Sequence, residues 1–180
     1  TIGNKLPTGI CGSGAVSLLS QLLAFQYMDF SGILTEKFPE DGLLLSRTPS
    51  GQEIRFTKQD VRQMQLSVAA IGAGIATLCH TAGISIDDTD QLYLAGGLGY
   101  HISISKASAS GMFSGMDTTR IHTVGNSCLL GLASICQKPD GLSRRIEDLH
   151  QKSHEVILAD NDYFQKQFIR HMTYEYNSAL

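Results

Sequence analysis

The chain has 180 residues, of which 42% are hydrophobic and 17% charged, and a net charge of −3. That length suits one domain of roughly 150 residues with a real core, and the composition excludes a disordered chain, which needs high charge and few apolar residues. With 14 Lys and Arg against 17 Asp and Glu, no broad basic face for nucleic acid is expected.

Apolar runs are broken by polar residues and fall short of the ~20 residues of a membrane span. No membrane partner is expected. Thr1–Pro7 lacks the basic start and apolar block of a signal peptide. The chain opens on Thr1 rather than Met, which predicts a piece of a longer protein. Cys11, Cys79, Cys128 and Cys136 form no C-x-x-C pair, so they are expected as reduced thiols in a cytoplasmic protein. His150 and His154 are four apart but lack a third ligand at a telling spacing, and no metal site is expected.

Pro7–Gly14 is a glycine-rich turn feeding a helix over Ala15–Tyr27, with Ser13 as its N-cap. Val16, Leu19, Leu22 and Leu23 recur at helical spacing. Leu43–Leu45 and Glu53–Phe56 form a hairpin closed near Pro49-Ser50-Gly51. Thr57 and Asp60 make a capping-box signal. The helix that follows carries Val61, Met64, Val68, Ile71, Ile75, Leu78 and Ala82 on one stripe and stops at Gly83. Gly72 and Gly74 in its middle each cost about 1 kcal/mol against alanine, which predicts close backbone packing there. Gln91–Ala95 is a buried strand, Ser103–Met112 a helix and Arg120–Val124 a strand. Ser127–Cys136 and Arg144–Lys152 are helices, Glu155–Ala159 a strand, and Asp160 or Asn161 caps a last helix bearing Phe164, Phe168 and Met172. Strands alternating with helices give an α/β fold.

Three constellations carry possible chemistry. In the first, the strand Gln91–Ala95 runs into Gly96-Gly97-Leu98-Gly99. Glycines at a strand end let a planar ligand approach the backbone, and such ligands sit beyond the carboxyl ends of strands in open α/β sheets. Taken alone, the pattern fits a tight turn better than a ligand site. In the second, Val124-Gly125-Asn126 opens onto a helix whose start offers free N–H groups to an anion, while Ser127–Ala133 reads as helix packing. In the third, Gly9-Ile-Cys-Gly12-Ser13-Gly14 serves equally as an anion nest or a plain turn, and no Walker lysine follows it. Asp60 reads as a cap, and Asp87, Asp88 and Asp90 as an exposed turn. Met112 and Met116 read as core and loop residues. There is no G-x-S-x-G or H-E-x-x-H motif, and no catalytic residue is assigned.

These pieces, in order, resemble one family. Pro7–Gly14, Phe56–Leu66 with its Asp-Val-Arg-x-x-Gln-Leu, Leu94-Ala-Gly-Gly-Leu-Gly99 and Val124-Gly-Asn126 are similar to the C-terminal part of the DUF4445-type, ATP-dependent reductive activators of corrinoid proteins. The resemblance covers nearly the whole chain. It implies a ribonuclease H-like lobe, a mixed sheet flanked by helices, within a two-lobed actin/hexokinase-like (ASKHA) ATPase domain, with residues 1–180 its C-terminal half. It implies ATP or ADP with magnesium in the whole protein, and a [2Fe-2S] cluster upstream of this chain.

By the same resemblance Gly96, Gly97 and Gly99 contact adenosine, and Gly125 and Asn126 support the site. Gly12, Ser13 and Gly14 complete the cofactor-binding set. Implied partners are a corrinoid protein or corrinoid-dependent methyltransferase, the N-terminal domains of the same protein, and a second copy in a homodimer. The family usually follows Ala-Gly-Gly with an aromatic residue, a glycine and a small or polar residue. Here Leu98, Gly99 and Tyr100 stand in those places, and Tyr100 is placed to crowd the ligand. The Asp-x-Gly-Thr-like phosphate loops of the fold and the C-x4-C-x2-C iron–sulfur motif are absent from this sequence. The chain alone is therefore expected to be neither an ATPase nor a reductase. Two other readings are a dimerisation or partner-docking module, and a sugar- or acetate-kinase-like phosphotransferase lobe. Asp60–Leu66 argue against the latter.

Overall fold

The computed structural model describes residues 4–113, 115–137 and 139–174, with side chains omitted at 139–143. The predicted start at Thr1 and the last six residues lie outside the described residues.

Helix α1 spans Gly12–Ala24 and buries Val16, Leu19 and Leu22. It begins earlier than predicted. Cys11, not Ser13, is the N-cap, and Ser13 lies inside the first turn, which Ala15 N closes on Cys11 O at 2.9 Å. A Cβ on Gly12 would meet Leu98 Cδ1 at 3.2 Å. That tertiary contact, rather than cap chemistry, sets the entry of the helix. Its other end stops short of Tyr27, with Gln26 at φ 59.

Strands β1 (Leu43–Arg47) and β2 (Glu53–Phe56) pair antiparallel, as predicted, and Phe56 is buried. Helix α2 spans Lys58–Ala82. The capping box is present: Asp60 N donates to Thr57 Oγ1 at 3.2 Å, and Thr57 N to Asp60 Oδ2 at 2.8 Å. Gly83 ends the helix at φ 72. By length and apolar content α2 could cross a bilayer, but it buries Val61, Val68, Ala69 and Ala73 in the core with α1, Phe38 and Phe56. Gln65 is buried there too, and its amide donates to Gly32 O at 2.6 Å. Tyr174 N reaches Phe30 O at 2.6 Å beside it, and burial pushes the Tyr174 phenol well above its ordinary pKa. The Asp60–Leu66 motif is thus structural, with Asp60 as cap, Val61 as core and Gln65 as a lock on the preceding loop.

Strand β3 (Leu92–Ala95) pairs parallel with β4 (Ile121–Gly125). The predicted α/β class stands, but the antiparallel and parallel pairs lie in two separate two-stranded sheets among the described residues rather than in one mixed sheet. Gly96–His101 form a short helix, α3, where a turn was expected. Helix α4 (Ile104–Ala109) is shorter than predicted and gives way to Gly111 at φ 81. Met112 and Met116 are core residues. A 3-10 turn over Thr118–Arg120 leads into β4, with Arg120 donating to Asp87 O and Thr89 O at 3.0 and 2.8 Å.

Helices α5 (Ser127–Gln137) and α6 (Pro139–Lys152) follow, α6 starting before the predicted Arg144. The predicted strand Glu155–Ala159 is an irregular segment. Val156 and Leu158 are half-buried on alternate positions, but the pattern serves packing. Leu158 Cδ1 lies 3.6 Å from where a Gly74 Cβ would stand. Helix α7 (Asp162–Arg170) is capped by Asn161, whose Oδ1 accepts from Tyr163 N and Phe164 N at 2.9 and 3.0 Å. It packs along α2. Gly72 makes room for the His171 ring, which a Cβ would meet at 2.5 Å, and His80 stacks on Tyr163 at 3.9 Å.

Candidate functional site

The parallel pair fixes a direction. Segments that follow β3 and β4 lie at the carboxyl ends of the strands, and those that precede them lie at the other end. Gly96 leaves β3 at φ 88 and Gly125 leaves β4 at φ 67, conformations that strongly favour glycine. A Cβ on Gly96 or Gly97 would meet nothing within 4 Å. The backbone there is open to an approaching group.

Gly99 has a different role. It is buried, and a Cβ there would press on Leu94 C and O at 3.1 and 3.2 Å. It lets α3 settle on β3. Tyr100 is exposed and stacks edge-on with His101, and its Cδ2 comes within 3.8 Å of a Gly125 Cβ position. The tyrosine therefore bridges the two glycine turns. Asn126 Oδ1 accepts from Leu129 N at 3.0 Å and organises the first turn of α5.

The glycine-rich segment of α1 joins this edge through the contact of Gly12 with Leu98. Gly12, Ser13 and Gly14 supply the first-turn N–H groups of α1 rather than a loop nest. Cys11 Sγ lies 3.3 Å from Ser13 Oγ, and the Ser13 hydroxyl, then the Gly14 N–H, hold the exposed Cys11 thiol below its ordinary pKa. A depression of about 490 Å3 beside it is walled by residues 5–11. All eight predicted residues thus fall on one connected edge: α1 start, α3, and the β4–α5 turn.

A family model described as the C-terminal domain of RACo, the ASKHA domain, matches residues 1–179. The chain belongs to this family. The ASKHA domain here is 26% identical over 149 residues to corrinoid activation enzyme RamQ of Eubacterium limosum, covering 72% of this chain and 25% of the relative. It matches a solved structure of a "Reductive activator for corrinoid,iron-sulfur protein" with a TM-score of 0.84 and 25% identity, over 96% of this chain and 29% of that one. The chain therefore spans less than a third of the length of these relatives.

The edge fits the nucleoside part of a nucleotide, with open glycine backbone, an apolar Leu98 and no side chain blocking Gly97. Segments 8–14, 96–101 and 125–137 of the ASKHA domain contain no Asp, Glu, Lys or Arg. They supply neither a magnesium carboxylate nor a phosphate-neutralising cation. Nor do the residues fit an iron–sulfur cluster. The four cysteines are free, and among the described residues no three of His, Cys, Asp and Glu gather as a metal site. Asp88 is occupied in its turn, accepting from Ser85 N at 2.8 Å, which lowers its pKa.

Sequence reasoning missed a cavity of about 340 Å3 between α2 and α7. Its wall residues are far apart in sequence, and no local pattern joins them.

Proposed function

We propose that this domain is the nucleotide-binding C-terminal part of an ATP-dependent activator that supports reduction of a Co(II) corrinoid to Co(I) on a corrinoid protein or methyltransferase. The convergence of the Gly96-Gly97 and Gly125-Asn126 turns at the carboxyl ends of β3 and β4 carries the reading, together with family membership. In it the adenosine lies over Gly96 and Gly97, against Leu98 and Tyr100. Gly99 holds α3 in place beneath them. Asn126 fixes the α5 start, whose N–H groups and partial positive charge face the polar side of the ligand.

The phosphates and magnesium are held by residues outside these segments, and the iron–sulfur cluster lies in the remainder of the protein. ATP supplies the free energy of activation by favouring one closed arrangement of the complex over the open one. The domain alone is neither ATPase nor reductase. Free thiols at four positions support a cytoplasmic setting.

A docking role is a second aspect, favoured by α5. This apolar helix buries none of its residues, and Leu129, Leu130 and Leu132 are 62%, 61% and 58% exposed. A contiguous face of this kind marks an interaction surface, and the homodimer or the rest of the same protein would cover it.

The test mixes the whole protein, its corrinoid partner and a low-potential reductant, and follows the Co(I) absorption. ATP is expected to be required, and the isolated domain is expected to give no Co(I). Equal rates without ATP, or Mg-ATP turnover by the domain alone at the rate of the whole protein, would sink the proposal.

A further inference from the structure

The cavity between α2 and α7 shares no wall residue with the glycine turns. Ile84, Ser85 and Ile86 on its wall precede β3, and Gly111 and Gly115 precede β4. A ligand there does not touch the edge assigned above to the nucleotide.

The wall has a definite chemistry. Ala76, Cys79, Ile84 and Ile86 make it mainly apolar, and among the described residues no Asp, Glu, Lys or Arg lines it. The stacked His80–Tyr163 pair, with rings 3.9 Å apart and 8° from parallel, supplies a flat aromatic side. Several polar wall groups are already engaged. The Ser85 hydroxyl accepts from Asp88 N, Thr173 Oγ1 donates to Arg170 O, and His171 Nδ1 lies 2.8 Å from Gln167 O. The Gln167 side-chain amide differs. It lines the cavity with no hydrogen-bond partner among the described residues.

A concave, mostly apolar space with a free amide is the form of a small-molecule pocket, and about 340 Å3 falls in the usual range of roughly 300–1,000 Å3. The missing charges disfavour phosphates and carboxylates, whose burial without a partner is costly.

We infer that this cavity is a second ligand site, separate from the nucleotide edge, for a small uncharged ring-bearing molecule whose polar edge pairs with Gln167. The ring lies against the His80–Tyr163 side. Bound there, the ligand spans α2 and α7 and holds them together.

Indole is a suitable probe, with a flat neutral ring and one N–H for the Gln167 carbonyl. Titration of the chain with indole is expected to saturate at one site. Cys79 on the wall gives an independent readout. Its alkylation by iodoacetamide, followed by peptide mass, is expected to slow about tenfold when indole stands at ten times its Kd, while alkylation of the exposed Cys11 is unchanged. Gln167→Ala, which leaves the backbone carbonyl bonded to His171 in place, is expected to weaken indole about three- to tenfold. Ala76→Phe fills the space and is expected to abolish binding. Should that variant fail to fold, Gln167→Ala and the labelling decide. Saturating ADP added to the whole protein is expected to leave indole affinity unchanged. No saturation and no protection of Cys79 at millimolar indole, full affinity in Gln167→Ala, or competition by ADP would each overturn the inference.

Discussion

Replacing Gly97 by leucine in the whole protein is expected to weaken nucleotide binding at least about tenfold while leaving the fold intact. Gly97 does not sit at positive φ, and a Cβ there finds open space. The leucine side chain is therefore expected to project where the adenosine would lie, with its Cβ free of any contact. Thermal unfolding should move by no more than about 2 °C, as for an ordinary surface change. ADP affinity by calorimetry should fall at least about tenfold, a loss of about 1.4 kcal/mol. Gly99→Ala is the contrasting variant. Its Cβ presses on the Leu94 backbone at 3.1 Å, so its first effect is on stability, about 1–3 kcal/mol of overpacking. Unchanged ADP affinity in Gly97→Leu would remove Gly97 from the site.

The two glycines inside α2 should respond to alanine with opposite signs. At Gly72 the new methyl meets the buried His171 ring at 2.5 Å and Gly111 O at 3.3 Å. His171 has little freedom to yield, because its Nδ1 lies 2.8 Å from Gln167 O. Gly72→Ala is expected to cost about 1–3 kcal/mol, which lowers Tm by roughly 3–10 °C at the usual scaling. At Gly74 the methyl meets only Leu158 Cδ1, at an ordinary 3.6 Å. Gly74→Ala is expected to stabilise by up to about 1 kcal/mol through helix propensity and a less free unfolded chain. Chemical denaturation of both variants checks this. Shifts of the same sign would mean that α7 does not lie on Gly72 as described.

Helix α2 and the hairpin were legible because their signals are local. A Thr57–Asp60 box, a stripe of apolar residues and a terminal Gly83 need no distant partner. The starts of α1 and α3 were not, because distant contacts decide them. Ser13 is a better cap than Cys11 by chemistry, yet Gly12 must fit under Leu98. Gly96-Gly97 argues locally against a helix, yet α3 forms because Gly99 settles on Leu94. Glu155–Ala159 carries a strand-like alternation, but Leu158 packs over Gly74 instead of joining a sheet. The glycines of the candidate site were visible one segment at a time. Their meeting on one edge, through Leu98 on Gly12 and Tyr100 beside Gly125, is a product of the fold. The same holds for the cavity walled by Cys79, His80 and Gln167.

Nucleotide is proposed to dock at the carboxyl ends of β3 and β4. Hydrogen–deuterium exchange of the whole protein with and without ADP tests it most directly. Exchange is expected to slow in peptides covering 96–101 and 125–130 and to stay unchanged along α7. Protection confined to α7 and the end of α2, with none at Gly96, Gly97, Gly125 and Asn126, would contradict it.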